Sequence, residues 1–399
     1  MELAVGIDVA KDFHWAVVVD AVGNERLSRR VGNEPGSIGS LIGEVQDLAV
    51  GGHVSVGIDV VGGIASLLTV LVQQAGLRLV HVPGLAVNRA RQGTQGGENK
   101  SDPRDARVIA DQVRTRRDLR VVEALDEATA ELRLVVGRRR DLVADQTRRL
   151  ARLHELVVSI HPGLERRLDV TNKADLWLIT RYVAPGQIRR AGRRRLVEHL
   201  RKLPGTRAER ADRMATAALE AAEAQRVSVP GEARAAAMAR ELAAEALAAR
   251  ERIAEVDAEI AELVESHPDG ALIRSLPGMG AVLTAEFIAE AGTIDRFPTA
   301  DKLAAAAGLA PVLKQSGRSR ALRRALGGNK NLKRVFYQSA FCSLRHPTSR
   351  AFYARKRREG KRHHQAVIAL ARRRVDVLHA MLRNRQPFSV RTPRTVGSP

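Results

Sequence analysis

Two long apolar seams constrain this chain more than any other feature. Leu132, Val136, Arg139, Val143, Gln146, Leu150, Leu153, Val157 and Ile160 recur alternately four and three residues apart, with two polar interruptions. A second seam, Leu242, Ala246, Ala249, Ile253, Val256, Ile260 and Leu263, repeats the spacing. Such a period turns one stripe of each helix toward a partner, so both runs predict long coiled-coil helices. They form an arm over 123–266, its helices packed on each other or on another subunit. Between the seams, about 172–240 reads as further helix, broken at "APGQ" and "LPGT".

The chain ahead of the arm, 1–122, has a different rhythm. "LAVGIDVA" reads as a buried strand, and "HWAVVVDAVGNERLSRRVG" as a hairpin turning near Gly23-Asn24. Helices follow at about 37–48 and 64–75, alternating with strands "HVSVGIDV" and "RLVHVP", and another helix starts at Asp102. This predicts a mixed sheet flanked by helices. Behind the arm, 267–385 reads as helical, opening with two short helices around Pro277-Gly278-Met279-Gly280; the tail 386–399 is expected to be disordered. The fold class is therefore α/β plus all-α. No run of about 18 uncharged apolar residues predicts a membrane span. The start lacks the features of a cleaved leader, and the single cysteine, Cys342, excludes an internal disulfide and a cysteine-built zinc site. A cytoplasmic protein is expected.

The formal charge of +21 is unevenly placed. Between Val312 and Arg385 stand 21 Lys/Arg against two acids, Glu359 and Asp376, so one C-terminal segment holds nearly all the excess. A polyanion partner is implied, and nucleic acid fits better than a membrane because the segment is not one amphipathic helix.

Against that background, four carboxylates stand out. Asp8 and Asp59 end the phrase "VGIDV"-type strands at 5–9 and 56–60, and Asp102 and Asp105 share one helical face in "KSDPRDARVIAD". If the first and fourth strands lie side by side, all four meet at one edge of the sheet. Close carboxylates need a compensating cation, and hard oxygen donors suit Mg²⁺ or Mn²⁺ set against a DNA backbone. Asp102 also reads as an N-cap with Pro103 at the first helical position, and Asp105 as a helix-dipole partner. Asp12, Glu98 and Asp111 are lesser rivals.

In the basic segment, "LPGMG" resembles a helix-hairpin-helix, where Gly278 and Gly280 would let backbone N–H groups hold phosphate. Ser316 lies in "KQSGRSR", where Gly317 allows close approach and the arginines can neutralise a phosphoryl group. On local sequence it reads as a loop serine more readily than as a nucleophile, and Ser319 and Ser343 compete with it equally. Lys314, Arg318, Arg320, Arg323, Arg324, Lys330, Lys333 and Arg334 are the candidate contacts to nucleic acid.

Taken in order, "VGIDVAKD", "VGIDVVGG", "KSDPRDARVIAD", the helical arm, "SLPGMGAVLTAEFIAEAG", "FPTADKLAAAAGLAP" and "KQSG" before "GNKNLKRVFYQSA" resemble the transposases of the 110/1111 insertion-sequence group. The resemblance implies a RuvC-like RNase H fold with an acidic tetrad, falling here on Asp8, Asp59, Asp102 and Asp105. Asp59 stands where the family typically has Glu. It further implies a C-terminal transposase domain with a nucleophilic serine, here Ser316, and Mg²⁺ as cofactor. The implied partners are donor and target DNA, a structured non-coding bridge RNA that chooses the sequences, and further copies of the chain as a dimer or tetramer. The halves of different subunits would then form one composite site. Two other readings compete: a hydrolytic junction nuclease using the same carboxylates, and a non-catalytic nucleic-acid-binding scaffold.

Overall fold

The repeated phrase "VGIDV" forms the centre of a six-stranded sheet. In the computed structural model, which describes residues 1–93, 98–124, 126–316, 319–323 and 325–389, the chain divides into two units, Met1–Leu125 and Asp126–Pro399. In the first, β1 (Leu3–Asp8), β2 (Phe13–Asp20) and β3 (Glu25–Gly32) run as an antiparallel meander. Then follow α1 (Pro35–Ala49), β4 (Val54–Ile58), α2 (Ser66–Gln74), β5 (Arg78–His81), α3 (Gly84–Gln92), α4 (Asp102–Thr115) and β6 (Arg120–Val121). The order across the sheet is β3-β2-β1-β4-β5-β6, with β1–β4 and β4–β5 parallel.

Side chains alternate between the two faces of a strand. Leu3, Val5 and Ile7 of β1 therefore join the core under α1 and α2, with Ile38, Leu41, Leu68 and Val72. Ala4 joins the opposite core, with Ala106, Ile109 and Ala110 of α4. Gly6 shares Ala4's side, and a Cβ there would stand 2.1 Å from the Ala106 carbonyl oxygen and 2.2 Å from the Ala110 nitrogen. Gly57, its partner in register on β4, sits equally close to Val113. These two glycines let α4 lie directly on the strands. Helix α3 was not expected from sequence: only Val87 and Arg91 of its nine residues are buried, too short a stripe to give a periodic signal.

In the second unit, α5 (Glu127–Ile160) starts at Asp126, whose side chain accepts from the Thr129 N–H at 2.8 Å. Then come α6 (Pro162–Glu165), α7 (Lys173–Ile179), α8 (Pro185–Arg201), α9 (Ala208–Ala224) and α10 (Glu232–Ser266). Leu132 and Val136 near the start of α5 share a core with Val256, Ile260 and Val264 near the end of α10. Leu153, Val157 and Ile160 share another with Ala236, Ala239, Ala243 and Ala246. The two long helices are thus antiparallel neighbours within one chain. Each fully buried Leu, Ile or Val contributes about 1.5–3 kcal/mol. The polar interruptions are matched: Arg139 pairs with Asp257, and Gln146 Nε2 donates to the Ala246 carbonyl at 3.1 Å. The stripe buried by α10 passes through Ala243 and Val264, one residue from the expected Leu242 and Leu263. Alanine at the contact lets the backbones approach, and the leucines pack partly buried at its flanks.

The remainder comprises α11 (Gly270–Arg274), α12 (Ala281–Ala291), α13 (Ala300–Ala306), the antiparallel strands β7 (Val312–Ser316) and β8 (Ser319–Arg323), then α14 (Lys330–Cys342), α15 (Pro347–Arg358) and α16 (His363–Asn384). The β7–β8 ribbon corrects the expectation of an all-helical C-terminal part. Its side chains, where described, are exposed on both faces, so no apolar alternation marks it in the sequence. The expected disorder of the tail falls largely on 390–399, which lie outside the described residues.

Candidate functional site

The phrase "GID" explains where the carboxylates fall. Two residues beyond Gly6 and Gly57, on the same face of parallel neighbours, come Asp8 and Asp59. Because those glycines seat α4 on the sheet, its first turn brings Asp102 and Asp105 to the same edge. Burial, then the charges of Asp59, Asp105 and Asp102, push the Asp8 carboxyl up to about 7. Burial likewise raises Asp59, although the Val9 N–H donates to its Oδ1 at 3.4 Å. Asp8 therefore lies in the field of the other three, and Asp59 in that of Asp105.

Details of the helix start differ from expectation. Ser101, with an extended φ of −151°, is the N-cap, and Asp102 is already helical with Pro103 after it. Asp102 is exposed and Asp105 buried. Asp105 Oδ1 lies 3.3 Å from Arg91 Nε, a largely buried pair that sets a positive charge against one of the four carboxylates. Arg91 comes from the unexpected α3, and no local sequence signal identifies it. His81 Nε2 also reaches the Asp59 carbonyl at 3.2 Å. Among the described residues, no group of three or more His, Cys, Asp or Glu is spaced closely enough to hold a metal ion. The donor chemistry nonetheless suits a hard divalent cation, since the shared repulsion on Asp8 is what such a charge would relieve. Of the rivals, Asp111 is occupied by Arg107 at 3.1 Å and Arg114 at 3.3 Å, while Asp12 and Glu98 are exposed.

In the second unit, Ser316 ends β7, exposed, opposite an equally exposed Ser319. Ser343 is buried and its hydroxyl donates to the Ala340 carbonyl at 2.8 Å, which removes it from contention. Arg318, Arg324 and the Lys314 side chain lie outside the described residues. Arg320 is exposed on β8. Arg323, Lys330, Lys333 and Arg334 all line one cleft of about 1020 Å³, joined by Lys361, His364 and Arg372 from the end of the chain and by one acid, Glu359. Lys361, His364 and Arg372 were not singled out in the sequence; only folding brings α16 beside α14. Gly280 is the exposed N-cap of α12. Gly278, at φ +85°, instead faces inward: a Cβ there would stand 2.5 Å from the Ser339 carbonyl oxygen. Its loop is held by Arg374, buried at 4% exposure, which donates to the Ser339 hydroxyl and the Pro277 carbonyl.

Two family models match the chain: one described as "Transposase", of the IS110 DEDD type, over residues 5–162, and one described as "Transposase IS116/IS110/IS902 family" over 270–354. The uncharacterized 42 kDa protein of insertion element IS900 from Mycobacterium paratuberculosis is 44% identical, over 95% of each chain. The uncharacterized 44.8 kDa protein of insertion element IS116 from Streptomyces clavuligerus is 42% identical, over 98% of this chain and 97% of that one. Among solved structures, T. thermophilus RuvC in complex with a Holliday junction substrate matches 28% of this chain and 90% of its own at 17% identity, with a TM-score of 0.22.

Proposed function

This chain belongs to the IS116/IS110/IS902 family of transposases, and on that premise we propose that it recombines DNA through a covalent bond between Ser316 and a DNA strand end, assisted by the four carboxylates. One observation supports the reading: Asp8 and Asp59 follow Gly6 and Gly57 on parallel neighbouring strands, and the helix seated on those glycines begins with Asp102 and Asp105. The Ser316 hydroxyl attacks a phosphodiester; the phosphorus–oxygen bond to the departing strand breaks, and that strand leaves as a hydroxyl, taking up a proton. A hydroxyl of the other DNA strand then attacks the phosphoserine, restoring the serine and a phosphodiester, so no external energy source is needed. Asp8, Asp59, Asp102 and Asp105, drawn closer together than they stand here, would hold Mg²⁺, which supplies Lewis-acid polarisation of the phosphate when bound. The cations Arg323, Lys330, Lys333 and Arg334 grip backbone phosphates and steady the developing charge. Sequence choice falls to a structured non-coding RNA, and the carboxylates of one copy serve the serine of another within a dimer or tetramer. A RuvC-like RNase H fold suits the strand order β3-β2-β1-β4-β5 with one carboxylate ending β1 and the other just past the end of the adjacent β4.

The test uses cells carrying a plasmid with the intact element, so that its ends and transcripts are present. Ser316→Ala is expected to abolish both the covalent protein–DNA adduct and strand exchange. Asp102→Asn with Asp105→Asn is expected to keep DNA binding within about threefold while cleavage falls by at least about a hundredfold, the scale of a lost electrostatic stabiliser. An adduct that survives Ser316→Ala dismisses the serine; full cleavage by the double variant dismisses the carboxylates.

A further inference from the structure

Helix α12 carries two glutamates one turn apart, Glu286 and Glu290, among mostly apolar neighbours in "AVLTAEFIAEA". Glu286 is fully buried and accepts from Arg334 at 2.6 Å, orienting a guanidinium of the basic cleft. Glu290 is bound more elaborately. Its Oε2 accepts from Asn329 Nδ2, and its Oε1 from Asn331 Nδ2, each at 2.7 Å. Arg140 of α5 approaches Oε1 at 2.7 Å. Burial pushes this carboxyl upward, but the hydrogen bonds from Asn329, Arg140 and Asn331 outweigh it and hold the group below its ordinary range.

Asn329 stands where the β7–β8 ribbon re-enters the fold. Its Oδ1 accepts from the Asn331 and Leu332 N–H groups at 2.9 and 3.0 Å, capping α14. Its own N–H donates to the Ala306 carbonyl at 2.6 Å. Beside it, Gly328 (φ +95°) crosses Gly308 (φ +62°), so tightly that a Cβ on Gly328 would stand 2.6 Å from the Gly308 nitrogen. Lys333 Nζ donates to the Gly308 carbonyl at 2.9 Å. Gly308 lies just ahead of the ribbon and Asn329 just after it, so both of its feet are pinned at one crossing.

We propose that Glu290 is the positioning residue of the ribbon that carries Ser316, fixing its feet to α14 through Asn329 and Asn331 and to α5 through Arg140. The inference rests on Ser316 being the nucleophile. Glu290 does not act on DNA; it restricts the directions from which the serine can approach a phosphate. A misplacement near 1 Å at a reacting group lowers rate by about a hundredfold, which sets the scale expected.

The polarity of the contact supplies the test. In Glu290→Gln, Oε1 still accepts from Asn331 and Arg140, but the new Nε2 meets Asn329 Nδ2, donor against donor. Adding Asn329→Asp reverses that one contact and keeps a good helix cap. With full-length protein and the element-bearing plasmid, Glu290→Gln is expected to slow adduct formation by about tenfold to a hundredfold. Backbone amides of 312–323 are expected to exchange faster, with DNA affinity within about threefold of the parent, the range of a surface change. The double variant is expected to recover both adduct rate and amide protection. Unchanged ribbon exchange in Glu290→Gln, or a double variant that recovers its melting temperature but not its adduct rate, overturns the proposal. Ser316→Ala run alongside separates the two claims: a surviving adduct retires the serine, while the exchange measurement still decides for or against Glu290.

Discussion

At the scale of single residues, burial decides which charges matter. Asp175, in the first turn of α7, is buried, with Arg210 no closer than 4.0 Å, and desolvation pushes its carboxyl up to about 6. The folded protein therefore keeps a proton that the unfolded chain releases near 3.8. The contribution of Asp175 to stability is expected to fall as pH rises from about 4 to about 6 and to level off above that. Asp175→Asn should remove this part of the slope and stabilise the protein at pH 7.5 by on the order of 2 kcal/mol. Thermal melts of both proteins from acid to neutral pH check this; because Asp8 and Asp59 add a slope of the same sign, a variant whose slope equals the parent's refutes it. Residues of this kind were only partly legible in the sequence. Asp8, Asp59, Asp102 and Asp105 could be picked out because strand parity and helical spacing are local rules. Arg91 and Glu290 could not, because each owes its role to partners that folding supplies: Asp105 for the first, Asn329, Asn331 and Arg140 for the second.

At the scale of elements, the contact between α4 and the sheet is the joint on which the carboxylates depend. Gly6→Ala would place a methyl group 2.1 Å from the Ala106 carbonyl oxygen, where only backbone can yield. Overpacking of this sort costs about 1–3 kcal/mol, and occasionally more. The variant is expected to lose that much in denaturant unfolding of the first unit, and to lose cleavage further as Asp102 and Asp105 lift from Asp8. Wild-type stability in Gly6→Ala would show that α4 does not lie on β1. The long helices and most strands were legible, since their apolar periods run over many residues. The seam of α10 was misplaced by a residue at its ends because Ala243 and Leu242, like Val264 and Leu263, weigh alike in such a pattern, although the smaller of each pair is the one buried at the contact. The exposed β7–β8 ribbon and the short α3 have almost no buried stripe, so nothing in their composition announces them.

For the whole molecule, the charge excess becomes a specific surface. Lys330, Lys361, Arg323 and Arg372 come from separate stretches of the C-terminal segment and line one cleft. Binding to duplex DNA is expected to weaken steeply with salt, and alanine at Arg323, Lys330 or Lys361 should each shallow the log–log slope by about 0.9. Titrations of one duplex at several salt concentrations measure this, and slopes identical to the parent's would move the DNA elsewhere. Among the described residues no helix is long and apolar enough to cross a membrane. The antiparallel pair α5 and α10 has a mechanical meaning as well. At 34 residues, α5 is a rod about 50 Å long. One of its ends lies in the core built around α6 to α9; Arg140, nearer the other, grips Glu290. A rod so arranged ties the two cores together in one continuous helix, with the foot of the serine's ribbon held along its length.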